Sequence, residues 1–203
     1  ITVEQLAANA GLAGCKPEYI RVVISAFEAI LDPKFNLVGP SSSLGGAGIL
    51  LIINGPLVTD LGINCRNNLF GPGNRANATI GRAIRLILMN ACAAIPGLFD
   101  RSVFGHPGKY SFCIAESEES PWGQMHVERG FDDTDSTVTA FACEGPRQVR
   151  TSGSPDVILN TISDVASSLG TSAATVGSTA DTRSIIRRGE VAVVLSLIHI
   201  SEP

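Results

Sequence analysis

The chain has 203 residues, 44% hydrophobic and 17% charged, with a formal net charge of −4. That length is enough for one domain with a buried core, and the composition excludes a disordered tail or a coiled coil. The negative balance lacks the concentrated basic face that nucleic acid requires, and the longest apolar stretches, Ile49 to Ile53 and Ile84 to Met89, fall far short of a bilayer span, so neither nucleic acid nor a membrane is expected as partner.

In chain order, Thr2 and Gln5 form a capping box ahead of the helical stretch VEQLAANAGLA. Pro17 suits the first turn of a second helix, in which Ile20, Val23, Ile24, Phe27, Ile30 and Leu31 recur at helical spacing until Pro33. The two together predict a helical hairpin. Pro40 to Gly48 reads as a flexible loop, and ILLIIN after it as a buried strand closed by Asn54, Gly55 and Pro56. The stretch from Phe70 to Asn90 begins as a Gly/Pro/Asn loop and becomes a long helix bearing arginines. Tyr110 to Glu116 and Ser136 to Cys143 are strand candidates; Ser154, Pro155 and Gly170 bound a further helix, and GEVAVVL is a last strand. These elements predict an α/β or α+β fold, a single mixed domain over residues 1–194 with about four strands. The strand order stays open. The final nine residues, LSLIHISEP, read as translated sequencing-library adapter, which would make the chain a fragment of a longer metagenomic gene; a natural terminal strand is the alternative.

On the long helix Arg75, Thr79 and Arg82 fall on one side with Arg85 beside them, opposite an apolar stripe of Ala76, Ile80, Ala83, Ile84 and Ile87. A helix N-terminus that follows a loop rich in Gly and Asn presents free N–H groups, and its dipole favours an anion by roughly 0.3–2 kcal/mol. Arg75 could add a bidentate contact to carboxylate or phosphate, and Asn64, Arg66, Asn74 and Asn77 supply further donors. GPGNRANATIGR is neither a Walker A loop nor a dinucleotide fingerprint. A plain turn followed by a solvated arginine face explains the same residues.

For chemistry, His106 in HPGKY could serve as a general base with Lys109 nearby. Glu116, Glu118, Glu119, His126 and Glu128 offer carboxylates and a histidine for an acid/base set, or a metal site if folded together; a solvated acidic loop accounts for Glu118 and Glu119, whereas His126 and Glu128 in an extended HVERGF would share a side. Cys113 is a nucleophile only if exposed beside a cation; otherwise it is a core cysteine. The five cysteines, without a CxxC pair or zinc-like spacing, indicate neither a metal site nor a disulfide scaffold, and point to a reduced, cytoplasmic setting. The absence of a signal peptide carries little weight in a chain that begins without methionine.

The combination of PEYIRVVISAFEAI, INGP, GPGNRANATIGRAIRL, GHPGKYSFCIAE and HVERGF, spread over most of Thr2 to Val194, resembles a family of uncharacterised bacterial proteins. Genes of that family neighbour small proteins with a cysteine or selenocysteine in a UGSC-type motif. The resemblance implies thiol or redox chemistry in a two-component enzyme, and no catalytic residue is carried over from it. INCRNN departs from the smaller, glycine-rich loop of the family, which puts the roles of Cys65 and Arg66 in doubt.

The expected function is an enzyme or enzyme subunit that holds a small anionic substrate between Asn54 to Pro56, Asn64 to Asn77 and the HPGKY loop. Arg75 and Arg82 would orient the anion, and His106, His126 or Glu128 would move protons. The alternative is a non-catalytic partner that docks an acidic surface of a thiol or selenol protein; a homo-oligomer is compatible with either. No cofactor is indicated by the residues.

Overall fold

The computed structural model describes residues 1–167. Within Ile1–Gly145, one compact unit, the elements are α1 (Val3–Ala13), α2 (Ile20–Leu31), α3 (Val38–Ser42), β1 (Gly48–Asn54), α4 (Leu57–Leu61), α5 (Arg75–Asn90), β2 (Cys113–Ala115), α6 (Met125–Glu128) and β3 (Thr137–Cys143). A second unit begins at Pro146; its described part holds α7 (Pro155–Ala166), whose start is capped by the Ser154 hydroxyl accepting from Val157 N–H. The architecture is α+β. The predicted last strand, GEVAVVL, and the terminal LSLIHISEP lie outside the described residues.

The capping box forms as expected, with Thr2 N–H donating to Gln5 and Gln5 N–H to the Thr2 hydroxyl. Pro17 opens a short 3₁₀ turn, Pro17–Tyr19, and α2 follows directly to complete the hairpin. Pro40 to Ser42 depart from the predicted loop: proline is tolerated in a first helical turn, and the Ser42 hydroxyl bonds back to Val38 O, so α3 forms.

The strand order is β2-β1-β3. β2 runs parallel to β1, with Leu51 opposite Cys113, and β3 runs antiparallel to it, with Gly48 opposite Cys143 and Asn54 opposite Thr137. Alternation along the strands divides the residues between two faces. Leu51, Ile53, Cys113 and Ala115 meet α1, α2 and α5, whereas Leu50, Phe112 and Ile114 form a smaller cluster on the other side. Helix α5 is the central element. Its predicted stripe, Ala76, Ile80, Ala83, Ile84 and Ile87, is wholly buried. At Gly81 the helix approaches β2 so closely that a Cβ would stand 2.5 Å from Ser111 Oγ and 2.6 Å from Phe112 N. This contact leaves room for glycine alone, and it sets where Arg82 and Arg85, one and four residues further on, emerge.

Candidate functional site

β1 spans seven residues, about 20 Å from end to end, and the predicted pocket residues divide between its two ends. The HPGKY loop lies at the Gly48 end, where Gly48 N–H meets His106 Nε2 at 3.0 Å. Asn54 and the Asn64 loop lie at the other. Asn54, the Asn64–Asn77 loop and Lys109 therefore do not line one pocket.

The amide residues of the loop face the backbone. Asn77, buried, accepts from Asn64 N–H at 2.7 Å and donates to Asn64 O at 3.0 Å and Cys113 O at 3.2 Å. Asn64 closes its own turn by donating to Asn67 O and accepting from Arg66 N–H. Arg66 pairs with Glu119 on the surface. Asn74 stands at the N-cap of α5 without a side-chain capping bond. Nor do the arginines act as a set: Arg75 Nε donates to Gly14 O, just past α1, and Arg82 lies 5.9 Å from the Tyr110 ring centroid.

Arg85, which the sequence placed only beside the others, reaches the better site. Together α3, the start of β1, α5 and the 3₁₀ turn Pro107–Lys109 line a small open cleft. Arg85 Nη2 and Lys109 Nζ both lie 2.8 Å from Asp100 Oδ2, and the three side chains are only 13%, 12% and 4% exposed. Burial pushes the Asp100 carboxyl up, but hydrogen bonds from Lys109 and Ser102, with the Lys109 charge, outweigh it and hold the group at about 2. Two cations against one carboxylate leave this cleft with one net positive charge. Ser41, also lining it, has a buried Oγ without a partner among the described residues. Asp100 and Ser41 had little to mark them in the sequence; Arg85 had a signal, since it sits beside the apolar stripe and a guanidinium there needs a carboxylate.

His106 is held by backbone on both ring nitrogens: Nδ1 accepts from Gly108 N–H at 3.1 Å, and Nε2 lies 3.1 Å from Cys143 O. Nε2 also stands 3.0 Å from Gly48 N–H, so a bare Nε2 accepts from Gly48 whereas a protonated one serves Cys143 O. The ring also fills space that Gly48 and Gly108 leave open, since a Cβ at either would meet it within 3 Å. His106 thus braces the turn that carries Lys109, and its ring nitrogens are not turned to a ligand.

His126 and Glu128 also separate. Met125–Glu128 is one helical turn, not the extended segment expected, and residues two apart on a helix point about 200° apart. His126 is accordingly buried and Glu128 exposed. Near His126, Glu116 Oε2 accepts both from Asn54 Nδ2 and from Met125 N–H, which ties α6 to the carboxyl end of β1. Asn54 Oδ1, Thr137 Oγ1 and both His126 ring nitrogens have no partner among the described residues. Thr137 was missed by sequence reasoning because only the strand register brings it opposite Asn54.

Cys113 is buried against the helical layer, and desolvation pushes its thiol up to about 12; Cys143 is pushed up to about 11 for the same reason. Burial also raises Cys15 and Cys92, in Cys15 against the opposing effects of Thr79 and Arg75. The exposure that a nucleophilic Cys113 requires is absent. In native protein at pH 8, iodoacetamide should leave Cys113 unmodified until denaturant is added; peptide mass spectrometry finding it alkylated at a free-thiol rate would overturn this assignment.

Among the described residues, no three His, Cys, Asp or Glu side chains group to hold a metal ion, and no helix is long and apolar enough to cross a membrane. Comparison with protein-family models, curated proteins and solved structures gave no match.

Proposed function

We propose that the chain is an enzyme or enzyme subunit that binds a small anion, a carboxylate or a phosphate, in the cleft between α3, β1, α5 and the Pro107–Lys109 turn. The observation that carries this reading is the shared Asp100. It orients Arg85 and Lys109 while neutralising only one of them. Arg85 gives Asp100 its Nη2, and its Nε and Nη1 have no hydrogen-bond partner among the described residues. A charge-assisted hydrogen bond from such a donor contributes about 1.5–3 kcal/mol, more than the dipole of an exposed helix end. The anion site accordingly moves from the N-terminus of α5 to a point near its middle.

Neither His106, His126 nor Glu128 lines this cleft, and four of the five thiols are displaced away from the thiolate form. The thiol or redox step implied by the family resemblance then falls to the cysteine or selenocysteine of a partner protein, with this chain holding the anion. A second reading, a non-catalytic docking subunit, is favoured by one feature: Leu98, Phe99, Val103 and Phe104, in a single loop, are exposed, Phe104 to 98%. Exposed large apolar side chains concentrated in this way mark interaction surfaces.

A thermal-shift series with acetate and phosphate tests the first reading. Both anions should stabilise the wild type, and Lys109→Met should abolish the effect. Ser41→Ala should change stability by less than about 1 kcal/mol, because the hydroxyl has no partner to lose, yet weaken anion binding roughly threefold to tenfold. No shift with either anion on folded protein would favour the docking reading.

A further inference from the structure

The parallel strands β1 and β2 end in Asn54 and Glu116, and the carboxyl ends of parallel strands are where open sheets place their ligands. Glu116 Oε2 accepts from both Asn54 Nδ2 and Met125 N–H, so the start of α6 stands within a few ångströms of the Asn54 amide. At the far end of α6, Arg129 donates from Nη1 to Thr139 Oγ1 and lies over the Phe141 ring, both on β3. The helical turn therefore crosses the sheet from the β2 side to the β3 side, on the face away from α5. His126, its buried residue, is 1% exposed and lies over the end of β1 between those two anchors. Thr137 joins from β3, directly opposite Asn54 and on the same face.

The polar atoms gathered here lack hydrogen bonds. Asn54 Oδ1, Thr137 Oγ1 and both His126 ring nitrogens are buried without a partner among the described residues, and Asn54, like His126, is 1% exposed. Buried polar groups are ordinarily paired with protein, water or an ion. These atoms share lone pairs: an amide oxygen, an imidazole nitrogen and a hydroxyl, beside a carboxylate whose Oε2 is already fixed by two donors. A cation satisfies such lone pairs together, and Glu116 supplies the negative charge that its burial requires. The geometry points to a binding site for a divalent first-row transition-metal ion, held by Asn54, Glu116, His126 and Thr137. An imidazole nitrogen among oxygen donors suits Mn²⁺, Fe²⁺ or Zn²⁺, whereas Mg²⁺ and Ca²⁺ take oxygen alone. Amide and hydroxyl oxygens complete the set, which is how it forms without three His, Cys, Asp or Glu side chains. It stands at the opposite end of β1 from the HPGKY loop and is independent of the anion cleft.

The experiment is a titration of the metal-free wild-type chain with Mn²⁺, followed by electron paramagnetic resonance. Bound Mn²⁺ should show hyperfine coupling to an imidazole nitrogen, persist in excess Mg²⁺ and be displaced by Zn²⁺, which binds such sites more tightly. Loss of an outer-shell partner alone costs about 10-fold to 100-fold in metal affinity, so His126→Gln should weaken Mn²⁺ at least that much and remove the nitrogen coupling. Lys109→Met should leave both unchanged. Should His126→Gln fail to fold, Thr137→Val, at a strand position that suits valine, removes one oxygen donor and should lower affinity with the coupling kept. Mn²⁺ that stays free in the presence of folded wild type would overturn the site. Bound Mn²⁺ without nitrogen coupling would do the same, since the exposed Asp132, Asp133 and Asp135 carboxylates would then be its ligands, as would wild-type affinity in Thr137→Val.

Discussion

Replacing Asp100 by Asn should lower stability by about 3 kcal/mol at neutral pH, roughly 10 °C in Tm, and at the same time strengthen the binding of anions. The two effects have one origin. Asp100 forms an ion pair with Arg85 and accepts from Lys109 and from both the amide and the hydroxyl of Ser102, so its neutral replacement leaves two cations side by side in a largely buried cleft. The net charge there rises from one to two, which an anion from solution can offset. Added phosphate should therefore raise the Tm of the variant more than that of the wild type. A variant as stable as wild type, or one indifferent to phosphate, would show that the three charges are a solvated surface group.

The acid limb gives an independent reading of the same carboxylate. Its folded value is about 2 against an ordinary 3.8, so it contributes roughly 2 kcal/mol that is fully present above the unfolded value. That contribution is lost as pH falls from about 4 through about 2. Denaturant midpoints between these limits should decline with acid in the wild type, with this component missing in Asp100→Asn.

Asn77→Ala should be comparably damaging, at about 2–4 kcal/mol, without loss of anion binding. The Asn77 amide satisfies Asn64 N–H, Asn64 O and Cys113 O at once, and so clips the loop before α5 to β2. Alanine leaves those backbone groups to find water or remain unpaired. Asn77→Asp should not rescue, because a carboxylate cannot donate to the two carbonyls. Hydrogen exchange should show lost protection around Asn64, with acetate affinity kept. Loss of acetate binding at unchanged stability would instead return Asn77 to the substrate.

Helices were legible where period and caps agree. Thr2 with Gln5, and the apolar stripe from Ala76 to Ile87, each specify an element from local residues alone, and β1 follows from its continuous apolar run. The order β2-β1-β3 was not legible, since parallel and antiparallel neighbours of one buried strand leave the same apolar pattern. The polar residues were harder still. Asn64 and Asn77 look like donors for a ligand, but the Asn64 amide is consumed within its own turn and that of Asn77 by backbone that only the fold brings near. His126 and Glu128 share a side in an extended chain and oppose each other in a helical turn, and a single turn has too few residues for its period to show. Arg75 appeared to be the anchor because it opens the helix, whereas the contact with Asp100 is made by Arg85, ten residues on and at the edge of the buried stripe.

Calorimetric titration of acetate into wild-type, Arg75→Ala and Lys109→Met chains, compared side by side, bears most directly on where the anion sits. Wild type and Arg75→Ala should bind equally, and Lys109→Met should lose binding at least tenfold, a difference of about 1.4 kcal/mol or more. Binding lost in Arg75→Ala and retained in Lys109→Met would place the anion at the start of α5 and contradict the cleft.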